Sequence, residues 1–312
     1  MCCLFLAASS TVAIAQTNVV DLVNPIIGTN GMGHTFPGAC VPFGLVQLSP
    51  DTDTIPHNVD GKYQPRSYEY CAGYQHKDSS IVGFSHTHFS GTGHSDLGDI
   101  LIMPTTGTLK LNPGTATNPD GGYRSRFSHD TEISRPGYYE VMLADYGVKA
   151  QLTTTQRAGI HKYTYPTNSE NQRIILDMIH GIYNYDGKVL WTNIRVENDT
   201  LVTGYRITNG WARTNYTYFA MSFSKPITHY GCEEKAKVNY RGGYAKFNMK
   251  ENFPDIGGRK IVAYFDFDPK TSDELEVKVA LSGVSTEGAL KNLRAEASGA
   301  DFDQLASKAS DT

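Results

Sequence analysis

The sequence predicts an all-β protein, a large antiparallel β-sandwich or supersandwich, followed by the first helices of a linker. Short apolar runs bounded by Gly, Pro, Asn or Asp recur between residues 41 and 281, and no helical periodicity separates them. Helical periodicity begins only at residue 285. Tyrosine is abundant, with 19 Tyr against 13 Phe and 2 Trp, and this favours strands with one half-exposed face.

Individual strands are predicted where an apolar or alternating run ends at a turn residue. Pro50 and Pro104 are expected to end the first two strands, because proline cannot donate a hydrogen bond to a neighbouring strand. The predicted strands span residues 41–48, 100–103, 138–143, 148–155, 173–179, 188–196, 201–208, 216–223, 244–249, 261–267 and 275–281.

The clearest hairpin is predicted from residues 188–196 and 201–208, which flank a polar turn at 197–200. Side chains alternate across a strand, so each arm has two distinct faces. One face of the first arm is expected to carry Leu190, Thr192 and Ile194.

The last part of the chain is predicted to be helical. Ser285 is an expected N-cap, and Leu290 and Leu293 fall on one stripe of the helix that follows. A second helix is expected to begin near residue 301 and to have nothing to pack against. The expected domains are therefore a β-sandwich over residues 16–284 and a linker over 285–312, which is cut before a further helical domain.

The first 15 residues are expected to be an export signal. Residues 4–8 form a short apolar run, and Ala13-Ile14-Ala15 before Gln16 has the small residues of a cleavage site. A positively charged start is missing, so a start further upstream and a frayed apolar terminus both stay open. Export predicts a periplasmic, cell-surface or extracellular protein.

Composition excludes several function classes. The net charge of −4 argues against nucleic-acid and anionic-membrane partners, which favour a basic surface. No other apolar stretch approaches the roughly 20 residues of a membrane span. The three cysteines left after the signal form neither a disulfide framework nor a CxxC metal site.

Two glycine-rich segments, residues 28–39 and 83–99, are the expected functional region. They contain four of the ten histidines, and glycine at this density suits a backbone that approaches a ligand closely. His86 and His88 are spaced to share one strand face, so a metal site completed by His94 and a nearby Asp is one interpretation. Structural or ligand-contacting histidines are the other.

Other chemistry finds weaker support. The first glycine segment lacks the Lys-Ser/Thr of a phosphate loop. Ser85 and Ser90 do not lie in a Gly-x-Ser-x-Gly elbow. Cys71 near His76 is either a nucleophile or, as we expect, a buried structural thiol.

Long motifs resemble one known family. Residues 23–29 (Val-Asn-Pro-Ile-Ile-Gly-Thr), 33–39 (Gly-His-Thr-Phe-Pro-Gly-Ala), 41–51, 71–74 (Cys-Ala-Gly-Tyr) and 83–93 are similar to the opening of glycoside hydrolase family 92. The resemblance implies a calcium-dependent, inverting exo-α-mannosidase acting on mannose-containing glycans. It also implies an N-terminal β-sandwich, a helical linker and a C-terminal (α/α)6 barrel, with the active site where the domains meet.

In that family the general acid, the general base and most Ca²⁺ ligands belong to the barrel, so the resemblance assigns no catalytic or metal residue here. It assigns the sandwich part of the mannose pocket. Tyr68 replaces a frequent Trp, and Asn30 replaces a frequent Asp. The candidate substrate-binding residues are Asn30, Gly31, Met32, Gly33, His34, Arg66, Tyr68, Cys71, His86 and His88.

Three functions stay open from the sequence. The first is the N-terminal domain of an exported mannosidase, inactive without the rest of the enzyme. The second is a carbohydrate-binding β-sandwich that does not cleave its ligand. The third is a metal hydrolase that uses His86, His88 and a carboxylate. For each candidate residue, a loop-stabilising hydrogen bond is the alternative role.

Overall fold

The structure is a computed structural model that describes residues 19–91, 96–236 and 251–312. The predicted export signal at residues 1–15, the predicted strand at 244–249 and His94 lie outside these residues. Within them the chain forms the strands β1 (Ala39–Cys40), β2 (Gln47–Asp51), β3 (Asn58–Val59), β4 (Lys62–Tyr63), β5 (Ser80–Ile81), β6 (Gly83–Ser85), β7 (Leu101–Thr105), β8 (Ser125–Arg126), β9 (Ile133–Arg135), β10 (Tyr138–Leu143), β11 (Val148–Thr154), β12 (Ala158–Thr164), β13 (Gln172–Asp177), β14 (Val189–Asn198), β15 (Leu201–Thr208), β16 (Asn215–Phe223), β17 (Ile227–Glu234), β18 (Asp255–Gly258), β19 (Ile261–Phe267) and β20 (Glu274–Ser282). The α-helices are α1 (Thr286–Glu296) and α2 (Phe302–Asp311), and short 3₁₀ helices span Val19–Leu22, Pro65–Tyr70, Pro119–Gly121 and His129–Thr131.

Two large antiparallel sheets form the body of the described chain. The first has the spatial order β1-β2-β6-β7-β13-β19-β17, and the second has the order β18-β14-β15-β16-β20-β12-β11-β10-β9. Two small ribbons, β3-β4 and β5-β8, lie outside them. The predicted all-β fold is confirmed.

The sheets pack face to face around one shared core. Leu48, Phe84, Ile102, Ile174 and Phe265 come from the first sheet and belong to the same buried cluster as residues of the second sheet. The residues from the second sheet include Val141, Leu152, Val202, Phe219 and Val277. This arrangement is a β-sandwich, in which each inner face removes the other from water.

Both α-helices cover the outer face of the second sheet. Ser285 caps α1 as predicted, and its side chain accepts a hydrogen bond from Gly288 N at 3.0 Å. The expectation that the second helix has nothing to pack against is wrong, because Phe302 and Leu305 are buried in one cluster with Ala280. Small residues on this sheet face leave room for the helices to approach. No helix in the described ranges has the length and apolar character that crossing a bilayer requires.

The predicted hairpin is present as β14 and β15, but its turn and one face differ. Asn198 already pairs with Leu201, so the turn is two residues shorter than expected. A bulge between Val189 and Trp191 shifts the alternation of side chains. Leu190 is therefore exposed, whereas Thr192 and Ile194 remain on the buried face.

Proline does not end the first two strands where we expected. Pro50 lies inside β2 opposite Phe84, and Pro104 lies inside β7 opposite Ile174. The predicted strand at 41–48 is mostly a loop, and only its last two residues belong to β2. Within that loop Phe43 is fully exposed with a φ of 57°.

Candidate functional site

The glycine loop, defined here as residues 30–34, is held by the buried side chain of Gln75. Gln75 accepts a hydrogen bond from Gly31 N at 2.8 Å, and its Nε2 donates to Gly31 O at 3.0 Å. The same Nε2 donates to Glu69 O in the neighbouring 3₁₀ helix. Since Gln75 satisfies both backbone groups of Gly31, the loop is held in place although it has little side chain to pack.

Glycine is required at two positions of this loop. Gly31 has a φ of +59°, which is costly for residues with a Cβ. At Gly33 a Cβ would lie 2.1 Å from the carbonyl oxygen of Gly28. The sequence therefore selects glycine here for backbone geometry, and the geometry leaves the loop backbone facing solvent.

His34 places an imidazole edge against an exposed aromatic ring. Its ring lies 4.8 Å from that of Tyr68, at right angles to it. Burial lowers the pKa of His34, although a hydrogen bond to the Tyr68 backbone opposes the shift. His34 Nε2 is buried and has no hydrogen-bond partner among the described residues. Burial thus favours the neutral imidazole, with Nε2 left unbonded by the described residues.

The two glycine-rich segments meet at this point. Gly91 N, in the second segment, donates a hydrogen bond to His34 O at 2.8 Å. The loop surface, defined as Asn30, Met32, His34, Arg66 and Tyr68, faces solvent apart from the buried His34. Arg66 and Tyr68 come from the 3₁₀ helix Pro65–Tyr70, which Gln75 ties to the glycine loop.

Cys71 lies beneath the loop surface and is inaccessible. Its Sγ donates to Tyr68 O at 2.6 Å and contacts Tyr183 Oη at 3.0 Å. Burial raises the pKa of the Cys71 thiol, which opposes formation of a nucleophilic thiolate. The contacts give Cys71 a structural role in holding the backbone at Tyr68.

His88 is part of a buried ionic cluster. Its Nδ1 lies 2.7 Å from Gln47 O, and its Nε2 lies 2.8 Å from Asp51 Oδ1. Ser85 Oγ also lies 3.2 Å from His88 Nε2. His180 Nε2 contacts the other oxygen of Asp51 at 2.7 Å. Burial alone would raise the pKa of Asp51, but His88 and His180 hold it well below its usual value.

His86 belongs to a separate chain of neutral hydrogen bonds. Its Nδ1 donates to Ile100 O at 2.6 Å, which leaves Nε2 as an acceptor. His161 Nε2 lies 3.0 Å from that nitrogen and donates to it, while Tyr163 Oη donates to His161 Nδ1 at 2.8 Å. Burial lowers the pKa of His86 to about 4 and that of His161 well below its usual value. Both rings therefore stay neutral at pH 7.

A second buried ion pair supports the backbone between His86 and His88. Thr87 Oγ1 donates to Asp99 Oδ2 at 2.9 Å, and Arg206 Nε lies 3.1 Å from Asp99 Oδ1. Arg206 also donates to His180 O, which joins this pair to the Asp51 cluster. Burial, with the nearby charge of Arg206, lowers the pKa of Lys188 to about 7.

The metal interpretation of His86 and His88 finds no support, since protein groups occupy both nitrogens of each ring. In the ranges 19–91, 96–236 and 251–312, one group of side chains places three possible metal ligands within 4.8 Å of one another. It consists of His76, His129 and Glu132. Two imidazoles do not suit Ca²⁺, which takes oxygen ligands. This cluster therefore does not fit a calcium site.

The structure divides the predicted binding residues into two groups. Asn30, Gly31, Met32, Gly33 and His34 lie together with Arg66 and Tyr68. Cys71, His86 and His88 lie behind them, buried. The sequence did not indicate Gln75, because it is 44 residues from Gly31 and a single Gln carries no pattern.

The sequence matches the profile of the glycosyl hydrolase family 92 N-terminal domain over residues 22–282. The chain belongs to glycosyl hydrolase family 92. The resemblance carried by the glycine-rich motifs is thus confirmed, and so is the assignment to the N-terminal domain.

Solved members of family 92 share this fold. An α-mannosidase from Bacteroides thetaiotaomicron, solved in complex with mannoimidazole, is 40% identical with a TM-score of 0.82, and the match covers 94% of this chain and 36% of that one. An inverting mannosidase from the same organism is 25% identical with a TM-score of 0.73, over 97% of this chain and 36% of that one.

A curated relative from Arthroderma benhamiae is described as an uncharacterized secreted glycosidase. It is 25% identical over 314 residues, which is 95% of this chain and 37% of the relative. The chain thus spans little more than a third of the length of these family 92 relatives.

Proposed function

We propose that this chain is the N-terminal domain of an exported, inverting exo-α-mannosidase that acts on α-mannosides and N-glycans. It supplies part of the mannose-binding pocket. Family membership supports the glycosidase, and the names of the solved relatives support mannose as the sugar. The secreted relative supports export to the periplasm, cell surface or medium.

The observation that carries this proposal is the buried, unpartnered Nε2 of His34 beside Tyr68. An unmet hydrogen-bonding group costs stability unless a ligand or water satisfies it. The ring bonds to the Tyr68 backbone on its other side, so Nε2 accepts the hydrogen of a sugar hydroxyl. The exposed face of Tyr68 stacks on the apolar face of the same sugar.

In the reaction, the residues of this chain bind and orient the sugar. The loop surface holds no carboxylate, and inverting hydrolysis needs an acid and a base about 6.5–9.5 Å apart. We propose that another part of a longer protein supplies them, together with the ligands of the calcium that the family resemblance implies. Calcium would then orient the sugar hydroxyls. Gln75 fixes the glycine loop before the sugar binds. This matters because a displacement of about 1 Å at the binding site can lower the rate ~100-fold.

A carbohydrate-binding domain without hydrolysis is the second candidate. The loop surface combines an aromatic face, an imidazole and a guanidinium without an acid–base pair, and such a set is sufficient for binding. The two candidates differ in whether the complete protein releases mannose.

The test measures mannose release by the longest protein that the gene encodes and by the 312-residue chain alone. We expect turnover by the former and none by the latter. In the longer protein, His34→Ala and Tyr68→Ala should each lower kcat/KM by about 10–100-fold, since each removes a contact to the sugar. Tyr216→Ala is the matched control, because Tyr216 is an exposed tyrosine stacked on Tyr218 in the second sheet.

Each result decides one part of the proposal. Mannose release by the 312-residue chain alone would overturn the proposal that another part of the protein supplies the catalytic acid and base. Binding of mannose without release by the longer protein would favour the carbohydrate-binding domain. Unchanged kinetics in both His34→Ala and Tyr68→Ala would remove the loop surface from the sugar site.

A further inference from the structure

A cluster of two histidines and a glutamate lies apart from the loop surface. His76 follows Gln75 directly, whereas His129 begins the 3₁₀ helix His129–Thr131 and Glu132 follows that helix. One ligand atom from each of the three lies within 4.8 Å of the others. The imidazole rings of His76 and His129 are 4.0 Å apart. We propose that these three side chains bind a divalent transition-metal ion, for which Zn²⁺ is the probe.

The donor set matches this class of metal. Two imidazole nitrogens and one carboxylate oxygen are typical of Zn²⁺ sites that keep a further position for water. Ligand atoms on a tetrahedral Zn²⁺ lie about 3.3 Å apart. The three ligand atoms lie within 4.8 Å of one another, at most about 1.5 Å beyond that value, so side-chain rotations would complete the site.

The surroundings of Glu132 favour a bound cation. Its side chain is only 3% exposed, and in the described part of the chain its one ion-pair partner is His129, at 2.7 Å. A buried carboxylate is costly unless positive charge offsets it. A metal ion would supply that charge, and the ring nitrogen of His129 that becomes a ligand would carry no proton.

Two tyrosines hold the carboxylate in place. Tyr74 Oη donates to Glu132 Oε1 at 2.8 Å, and Tyr139 Oη donates to the same oxygen at 2.7 Å. Hydrogen-bonded carboxylates of this kind are characteristic of metal sites, where they orient the ligand.

Water can reach the site, because the His129 side chain is 36% exposed. The metal would also stabilise the glycine-rich segment. His76 N donates to Thr29 O at 2.8 Å, next to the loop that Gln75 fixes. A bound ion would therefore cross-link residues 76 and 129–132 behind the glycine loop.

The experiment titrates Zn²⁺ into the untagged 312-residue chain, in which the exposed thiol of Cys40 is replaced through Cys40→Ser. We expect one equivalent to bind. His76→Ala and His129→Ala should each weaken binding by at least about tenfold, and Tyr139→Phe should weaken it by about tenfold through loss of the orienting hydrogen bond. His229→Ala is the control, since that partly exposed histidine lies on β17.

A second measurement does not depend on variants that fold. X-ray absorption of the Zn²⁺ complex should show two imidazole ligands and oxygen, and Zn²⁺ at 100 times Kd should raise Tm by about 5 °C. The proposal fails if no saturable binding occurs, if the spectrum shows fewer than two imidazoles, or if both histidine variants bind as tightly as His229→Ala.

Discussion

Replacement of Gln75 by Glu exchanges the side-chain NH₂ for an oxygen. We call the hydrogen bonds of Gln75 to Gly31 and to Glu69 O the Gln75 clamp, because they hold the glycine loop. Two carbonyl oxygens, those of Gly31 and Glu69, now accept from Gln75 Nε2. An ionised Glu at this buried position would direct a negative oxygen at both carbonyls. The folded protein is therefore expected to keep the new side chain protonated, with a pKa well above the ordinary Glu value.

The cost of Gln75→Glu follows from that protonation. At pH 7, which is 2.7 pH units above the ordinary Glu pKa of about 4.3, keeping the proton costs at most about 3.7 kcal/mol. At pH 5 the same limit is about 1 kcal/mol. A carboxyl group has one proton for the two carbonyls, so one lost hydrogen bond adds about 1 kcal/mol at either pH. Because the folded pKa is raised, the destabilisation grows as pH rises above the unfolded pKa.

Urea unfolding of the 312-residue chain at pH 5 and pH 7 measures this effect. Relative to the unmodified chain, Gln75→Glu should lower the free energy of unfolding by up to about 2.7 kcal/mol more at pH 7 than at pH 5. Gln75→Leu removes the clamp without a titrating group, so its cost should be the same at both pH values. Gln156→Glu is the control at an exposed position, with an expected change within about 0.5 kcal/mol. Equal pH dependence in Gln75→Glu and Gln75→Leu would refute the clamp.

Three further predictions concern the parts that support the site. Asp51→Ala should lower the free energy of unfolding by about 3–5 kcal/mol at pH 7, measured with urea, because it removes the buried carboxylate that both His88 and His180 contact. The lowered pKa of Asp51 means that this advantage is present at neutral pH and shrinks only below about pH 4. Gly33→Ala should lower kcat/KM of the longer protein about 100-fold while its fold persists by circular dichroism, since the new Cβ would meet Gly28 O at 2.1 Å. Leu293→Ala should lower the free energy of unfolding, measured with urea, by about 2–5 kcal/mol, because Leu293 is buried between α1 and the second sheet.

The fold was largely predictable because sandwich strands carry their own local signal. Runs such as 261–267 are apolar, end at turn residues and appear as strands in the structure. The exceptions arose where tertiary pairing overrides a local rule. Pro50 lies inside β2 opposite Phe84, and the bulge after Val189 moves Leu190 to the surface. A strict alternation of apolar and polar residues predicts neither the proline inside a strand nor the bulge.

The candidate site was predictable only in part. The glycine loop could be recognised from the high glycine content of its segment, and the structure places Tyr68 beside it. Gln75 and the pairing of His76 with Glu132 were not visible, since each contact joins residues more than 40 positions apart. His86 and His88 share a local spacing that suits a metal, yet their partners come from other strands. Spacing along a strand cannot show which nitrogen is already bonded.

A glycine-rich backbone needs hydrogen bonds from the residues beneath it to become ordered. Glycine contributes no side chain to a core, and it loses more conformational freedom than any other residue when it is ordered. The glycine loop and the segment after β6 must therefore gain their order from hydrogen bonds. Gln75 supplies them from one side, and His88 supplies them from the other through Gln47 and Asp51. A buried ion pair contributes little net stability compared with an apolar pair, but it tolerates few alternative geometries. We infer that the ionic cluster is retained because it fixes the backbone beside the proposed sugar surface, and packing alone cannot fix a backbone without side chains.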